Sequence, residues 1–244
     1  MNNTLCIIPS KGSSVRFPNK NVRLFFGHPL VAYAIRKAIK ANIFDKVLVS
    51  TECAEIASMS QEYGAWIPFM RPIALSNDPY TIVDVVKDVV CKLSSIEFSF
   101  DNICVLLPTS PLSSVADIVE AFKIFKMSSA DALMSVVENE YPPYNAWLID
   151  NEGSRKRLFH CFPESKYVVT KSTECPSTYR SNGAIMFYSL NSLLEKNHYK
   201  YMDIVPYVMP RENSVDIDTL MDFKYAEYLV DSGIVELQGG LFDE

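Results

Sequence analysis

The chain has 244 residues, 48% hydrophobic and 21% charged, with a mean hydropathy of +0.05 and a formal net charge of −6. Those values suit one folded domain with a core of ordinary size and exclude a disordered or low-complexity chain. No stretch approaches the roughly 18 apolar residues of a spanning helix, and residues 1–8 lack the basic flank and long apolar core of a secretory signal, so we expect a cytoplasmic protein.

In chain order, Leu5 to Pro9 reads as a short buried strand. Leu30 to Asn42 reads as a helix, with Val31, Ala34, Ile35 and Ala38 facing inward and Arg36, Lys37 and Lys40 on a solvated face. A strand at Lys46 to Thr51 precedes a helix at Ala54 to Tyr63 that Gly64 caps. Then come a short strand at Ala65 to Phe69, a helix at Thr81 to Leu93, a strand at Asn102 to Leu107 and a helix at Val115 to Met127. Such alternation predicts an α/β fold, a mostly parallel sheet covered on both faces.

After a strand at Ala132 to Val137 the pattern breaks. A Pro- and Tyr-rich stretch, a hairpin around Asp150-Asn151-Glu152-Gly153 and an irregular segment to Thr178 read as an inserted arm at about 139–180 of a single domain, 1–244. Strands at Ala184 to Ser189 and Ile204 to Met209 and helices at Leu190 to Lys196 and Thr219 to Ser232 close the chain. The six cysteines show no paired spacing and read as reduced core residues, and the three histidines lie far apart and read as packing residues.

Charge is distributed unevenly. Met1 to Phe44 contains no acidic residue but seven basic ones, whereas Glu212 to Glu244 holds nine acidic residues against Lys224 alone. One end is suited to an anion and the other to a cation. The first strand runs into Ser10-Lys11-Gly12-Ser13-Ser14-Val15-Arg16-Phe17-Pro18-Asn19-Lys20-Asn21, a loop of small residues, backbone donors and three cations where parallel sheets bind ligands. Its composition suits phosphate, although neither the Walker spacing nor the dinucleotide fingerprint is present, and a solvated basic loop remains an alternative. Only eight glycines occur where average usage gives roughly 17, so Gly12 is conspicuous there. Near the other end stands Ser214-Val215-Asp216-Ile217-Asp218-Thr219. If it ends a strand, the two aspartates share a face and suit Mg²⁺, which takes oxygen ligands; otherwise Asp218 or Thr219 simply caps the last helix.

Together these motifs resemble the CMP-sialic acid synthetases (acylneuraminate cytidylyltransferases). The resemblance extends through Gly27-His28-Pro29-Leu30, Phe44-Asp45-Lys46-Val47, Phe69-Met70-Arg71-Pro72, Pro108-Thr109-Ser110-Pro111-Leu112 and Arg180-Ser181-Asn182-Gly183-Ala184-Ile185. It implies a three-layer, Rossmann-like nucleotidyltransferase with a β-rich dimerisation arm, transferring CMP from CTP to the C2 hydroxyl of a nine-carbon acidic keto sugar and releasing pyrophosphate. It implies nucleotide contacts from Lys11, Gly12, Ser13, Arg16, Lys20, Asn21, Arg71 and Thr81, and sugar contacts from Thr109, Ser110, Lys171, Arg180 and Asn182. Catalysis would fall to Lys20, Asp216 and Asp218, the aspartates holding Mg²⁺. The implied partners are CTP, the sugar and a second copy of the chain, with neither nucleic acid nor membrane. Without their resemblance roles, Arg71 would be a surface salt-bridge partner and Thr81 a helix cap.

Departures from the family pattern fall mainly on the sugar side. Lys11 and Val15 stand where the family has an arginine and a lysine in the loop. Leu107 replaces its glutamine, Ser113 its arginine after Pro-Thr-Ser-Pro-Leu, and Met186 its tyrosine. Phe69-Met70-Arg71-Pro72 resembles the pseudaminic acid branch, Arg180-Ser181-Asn182-Gly183 the sialic and legionaminic branch. Two other readings stay open: transfer to the eight-carbon acid Kdo, and a nucleotide-binding homologue without turnover.

Overall fold

The computed structural model describes residues 3–14, 16–151, 156–168, 171, 174–196 and 198–243. Strand β1 (Thr4–Pro9) leads through the basic loop and the short pair β2 (Leu24–Phe25) and β3 (His28–Pro29) into helix α1 (Leu30–Ala41). There follow β4 (Lys46–Ser50), α2 (Ala54–Glu62), α3 (Ile82–Ser94), β5 (Asn102–Leu106), α4 (Val115–Ser128) and β6 (Ala132–Glu138). Next are β7 (Trp147–Asp150), β8 (Arg157–His160), β9 (Tyr179–Ser189), α5 (Leu190–Lys196), β10 (Ile204–Val208) and α6 (Leu220–Asp231). The central sheet has the order β10-β6-β9-β5-β1-β4, and β9 alone runs against the other five.

Alternation along β1 explains the three layers. Cys6 and Ile8 pack on one face with Val31, Ile35 and Ala38 of α1 and Ile118 and Phe122 of α4. Leu5 and Ile7 pack on the other with Val86, Val89 and Leu93 of α3 and Leu193 of α5. Side chains of successive strand residues point to opposite faces, so a strand that is apolar at every position needs helices on both. A third apolar cluster joins Phe223, Ala226 and Leu229 of α6 to Phe17 and Phe25, with Phe17 and Phe223 edge-on at 5.7 Å. The basic loop is thereby anchored to the last helix.

Because β9 is reversed, its first residues lie beside the last residues of β5 and β6: Ile185 pairs with Leu106, and Tyr179 with Glu138. The carboxyl edge of the sheet thus collects the loops after β1, β4 and β5, the start of β9 and the segment after β10, where open α/β sheets bind ligands.

Four expectations are corrected. The strand expected at Ala65 to Phe69 contributes only a parallel bridge from Trp66 to Leu48. The strand expected at Ala184 starts five residues earlier. The Asp216-Ile217-Asp218 segment joins no sheet. Lys37 is not on a solvated face: it is 3% exposed, its Nζ donating to Ser110 O at 2.9 Å, Pro111 O at 3.3 Å and Ser113 Oγ at 2.6 Å. Burial pushes this ammonium down to about 7, with Asp117 acting in the opposite sense. The expected hairpin forms between β7 and β8, which pair in register from Trp147–His160 to Asp150–Arg157. Glu152 and Gly153 of its turn lie outside the described residues.

Candidate active site

The loop after β1 is closed on itself: Asn21 Nδ2 donates to Lys11 O at 2.8 Å, and Asn19 takes a left-handed φ of 57° where the chain turns into the 3₁₀ segment Lys20–Val22. Gly12 is required by close approach, since a Cβ there would lie 2.9 Å from Cys53 Cβ. Its N–H donates to Glu52 Oε1 at 2.7 Å, and Arg71 Nη2 donates to Glu52 Oε2 at 2.6 Å. Arg71 and Glu52 are both largely buried, which makes Arg71 an interior ion-pair partner and not a surface one. Burial acts to raise the Glu52 carboxyl, but Ser76, Arg71 and the Gly12 N–H together outweigh it and hold the group below its ordinary value.

Lys11, Lys20, Asn21, Arg71 and Thr81 line one cleft of about 230 Å³, together with Thr109. Thr81 also caps α3 in a capping box with Asp84, so its two readings are compatible. Tyr80 and Ile82 add apolar surface that the sequence did not single out. Gly12, Ser13 and Arg16 do not line this cleft.

The paired aspartates meet the basic loop across about 200 residues of sequence. Arg16 Nη2 lies 2.5 Å and Lys20 Nζ 2.8 Å from the Asp218 carboxylate. Val215 and Ile217 are buried, and the Ile217 N–H donates to Thr109 O at 2.8 Å, which fixes the segment against the turn after β5. Burial acts to raise Asp218, but the hydrogen bond and charge of Lys20, joined by Arg16, leave its carboxyl below the ordinary value. Asp216 is raised, first by burial, with Thr109 opposing and the Asp218 charge reinforcing. Its Oδ1 is buried without a hydrogen-bond partner, as are Arg71 Nε, Ser10 Oγ and Ser110 Oγ along the same edge. Buried polar atoms are rarely left unpaired, so this concentration suits a polar ligand. Asp216 and Asp218 form a hard-oxygen pair fitting Mg²⁺, which binds one or two carboxylates and completes its shell with water and phosphate oxygens. Among the described residues, no group of three or more metal-ligating side chains gathers, as a cation shared with a substrate would allow.

The sugar-side residues are dispersed. Thr109 lines the cleft. Ser110 is buried beside it. Asn182 is 2% exposed and its amide is spent internally, accepting from Ser135 Oγ at 2.5 Å and donating to Ser214 Oγ at 2.9 Å. It ties β9 to the segment that carries the aspartates. Gly183 follows with φ +72°, and a Cβ there would lie 3.1 Å from Leu107 and 4.0 Å from Asp216 Oδ2. Arg180 is exposed on β9 opposite Val137, Lys171 is exposed in the arm, and neither lines the cleft. Glu52 and Lys37 were missed. Glu52 follows the carboxyl end of β4, so the rule that singled out the loop after β1 also applied to it; nothing in the helical pattern marked Lys37 as buried.

Helices on both faces of this mixed sheet, with phosphate-competent cations set against paired carboxylates at its carboxyl edge, define a Rossmann-like nucleotidyltransferase. The cytidylyltransferase family model matches residues 5–228, and the chain belongs to that family. It is 32% identical over 225 residues to the pseudaminic acid cytidylyltransferase of Campylobacter jejuni, covering 92% of this chain and 95% of that one. It is 29% identical over 230 residues to the CMP-N,N'-diacetyllegionaminic acid synthase of Legionella pneumophila, covering 93% and 96%. Over 223 residues it is 29% identical to the N-acylneuraminate cytidylyltransferase of Escherichia coli, covering 91% of this chain and 51% of that one. Among solved structures, a CMP-2-keto-3-deoxy-manno-octonic acid synthetase complexed with CTP superposes with a TM-score of 0.67 at 14% identity, covering 94% and 99%. At that identity the likeness establishes the fold alone.

Proposed function

We propose that this cytidylyltransferase transfers CMP from CTP to the C2 hydroxyl of a nine-carbon acidic keto sugar, a nonulosonic acid, and releases pyrophosphate. The observation that carries the reading is the meeting of Lys20 and Arg16 with Asp218, beside half-buried Asp216; Lys20 also lines the cleft with Lys11, Asn21 and Arg71, while the two aspartates stand outside its lining. Relatives named for pseudaminic, legionaminic and N-acylneuraminic acids match more than nine-tenths of the chain. The Kdo alternative has only the distant structural likeness behind it.

In this reading Lys11, Lys20 and Arg16 neutralise the triphosphate, and Arg71 and Thr81 border the cytidine. The sugar oxygen forms a bond to the α-phosphorus, the bond from that phosphorus to the bridging oxygen of the β-phosphate breaks to release pyrophosphate, and the hydroxyl's proton passes to solvent. Asp216 and Asp218 would hold Mg²⁺, which when bound neutralises phosphate charge and favours the leaving group. Arg16 and Lys20 then turn from Asp218 to phosphate oxygens. Keeping these cations poised in the free protein limits reorganisation when the nucleotide arrives.

The exposed apolar hairpin, with Trp147, Leu148, Ile149, Leu158 and Phe159 at its surface, supports reading residues 139–180 as the arm of a homodimer, with Lys171 serving the neighbouring sugar site. No described helix is long and apolar enough to cross a membrane, and use of CTP suits a cytoplasmic enzyme. The test is pyrophosphate release with CTP, Mg²⁺ and a panel of pseudaminic, N,N'-diacetyllegionaminic, N-acetylneuraminic and Kdo acids. Turnover is expected with at least one nine-carbon acid. Silence on the whole panel while CTP still binds would favour the homologue without turnover.

A further inference from the structure

A lysine inside a core ordinarily has a carboxylate partner, because an unpaired buried ammonium is costly. Among the described residues, Lys37 has none within hydrogen-bonding distance. Its Nζ instead donates to three oxygens of a single turn, Ser110 O, Pro111 O and Ser113 Oγ, as many partners as an ammonium has protons. Ser113 Oγ in turn donates to Ser110 O at 3.0 Å. The other side of this turn holds the aspartate segment, through Ile217 N to Thr109 O at 2.8 Å and Asn213 Nδ2 to Leu112 O at 3.1 Å.

We propose that Lys37 is a positioning residue for cytidylyl transfer: from α1, behind the cleft, its ammonium sets the Pro108–Ser113 turn and so the placement of Asp216. The catalytic part rests on the functional reading above; the positioning part does not. Lys37 touches no reacting atom. It acts through Ser110 and Thr109 on the backbone of Ile217, between the two aspartates.

The test uses the full chain with Lys37→Met, Ser113→Ala and the double variant Lys37→Met/Ser113→Arg. In Lys37→Met, hydrogen exchange at the Ile217 amide is expected to accelerate at least tenfold while amides of β1 and β5 stay protected. In the kinetic arm, kcat for pyrophosphate release is expected to fall on the order of tenfold or more, with KM for CTP changed less than about threefold. The double variant is expected to recover most of that loss, since arginine at 113 returns a cation to the same turn. Unchanged exchange at Ile217 in folded Lys37→Met overturns the positioning role, and no recovery in the double variant overturns the role of a positive charge at this turn. If Lys37→Met does not fold, Ser113→Ala decides: it removes one of the three acceptors, and equal exchange and kcat in that variant overturn the proposal. A wild type silent on every acid counts against the functional reading, while the exchange arm still judges Lys37.

Discussion

The two sides of the cleft are built differently. On the proposed nucleotide side, three of the cations have carboxylate partners: Arg71 has Glu52, and Arg16 and Lys20 share Asp218 from the far end of the chain. These residues sit at the ends of the parallel strands or close behind them, and the buried ion pair holds the geometry before any ligand binds. On the acceptor side, Asn182 is turned inward, Arg180 and Lys171 are exposed, and the arm's strands β7 and β8 pair only with each other among the described residues. On the proposed reading, a single copy organises the nucleotide site in advance and leaves the acceptor site open.

The largest effect is expected at the junction of the two sides. Asp216→Asn and Asp218→Asn should each lower turnover on the order of 10²- to 10³-fold, with urea unfolding midpoints close to wild type. Near-normal pyrophosphate release from either variant would remove it from the metal site. Next comes Arg71→Met, which strands the Glu52 carboxylate in a largely buried setting. Breaking such a pair from one side costs about 3–5 kcal/mol, so the loss should be read in urea unfolding as well as in CTP affinity. Glu52→Gln keeps one acceptor oxygen, which can serve Arg71 or the Gly12 N–H but not both, and leaves no carboxylate stranded, so it should be milder. A loss of less than about 1 kcal/mol in both variants would mean that this wall of the cleft does not depend on the pair.

Smaller, and on the acceptor side, Lys171→Ala is expected to raise KM for the sugar about tenfold, or about 1.4 kcal/mol, while KM for CTP stays near wild type. An equal rise in both would erase the distinction between the sides. If the site is shared between copies, mixing Lys171→Ala with inactive Asp218→Asn should restore one competent site per mixed dimer, and light scattering should report two chains.

How much of this was legible in the sequence follows from which forces set each element. The alternation of apolar strands with amphipathic helices was readable because both faces of the sheet are buried, and periodicity reports burial directly. The first part of β9 was not: Arg180, Ser181 and Asn182 are polar, and the pairing with β6 shifts register between Met134 and Val136. Asn182 therefore looked like a ligand contact when it is an internal brace. The cation-carboxylate junction was legible as two motifs of opposite charge, but that Arg16 and Lys20 both settle on Asp218 depends on Phe17 docking against α6, a tertiary contact. Glycine scarcity also took on a local meaning. Gly12 stands where Cys53 leaves no room for a side chain, and Gly183 where the chain turns past Leu107 and Asp216.

Lys37 lies beneath the turn that both sides share, and it gives the expected effect most specific to this chain. Its folded-state value near 7 lies far below the 10.5 of an ordinary lysine. Between those two values the unfolded chain binds the proton more tightly than the folded one. Unfolding therefore takes up a proton, and stability rises with pH across that window by at most about 1.4 kcal/mol per pH unit. Below pH 7 both states hold the proton and the burial penalty is present in full. Asp117 of α4, the charged group that acts on Lys37 in the opposite sense, narrows the window without reversing the sign. Because other groups titrate over the same range, the quantity to measure is the difference between wild type and Lys37→Met in urea unfolding free energy at pH 7 and pH 9. That difference should move in favour of wild type by about 1–3 kcal/mol on going to the higher pH. A constant difference would show that Lys37 keeps its proton throughout, with the three turn oxygens compensating its burial, and the turn would then be held by a permanent charge.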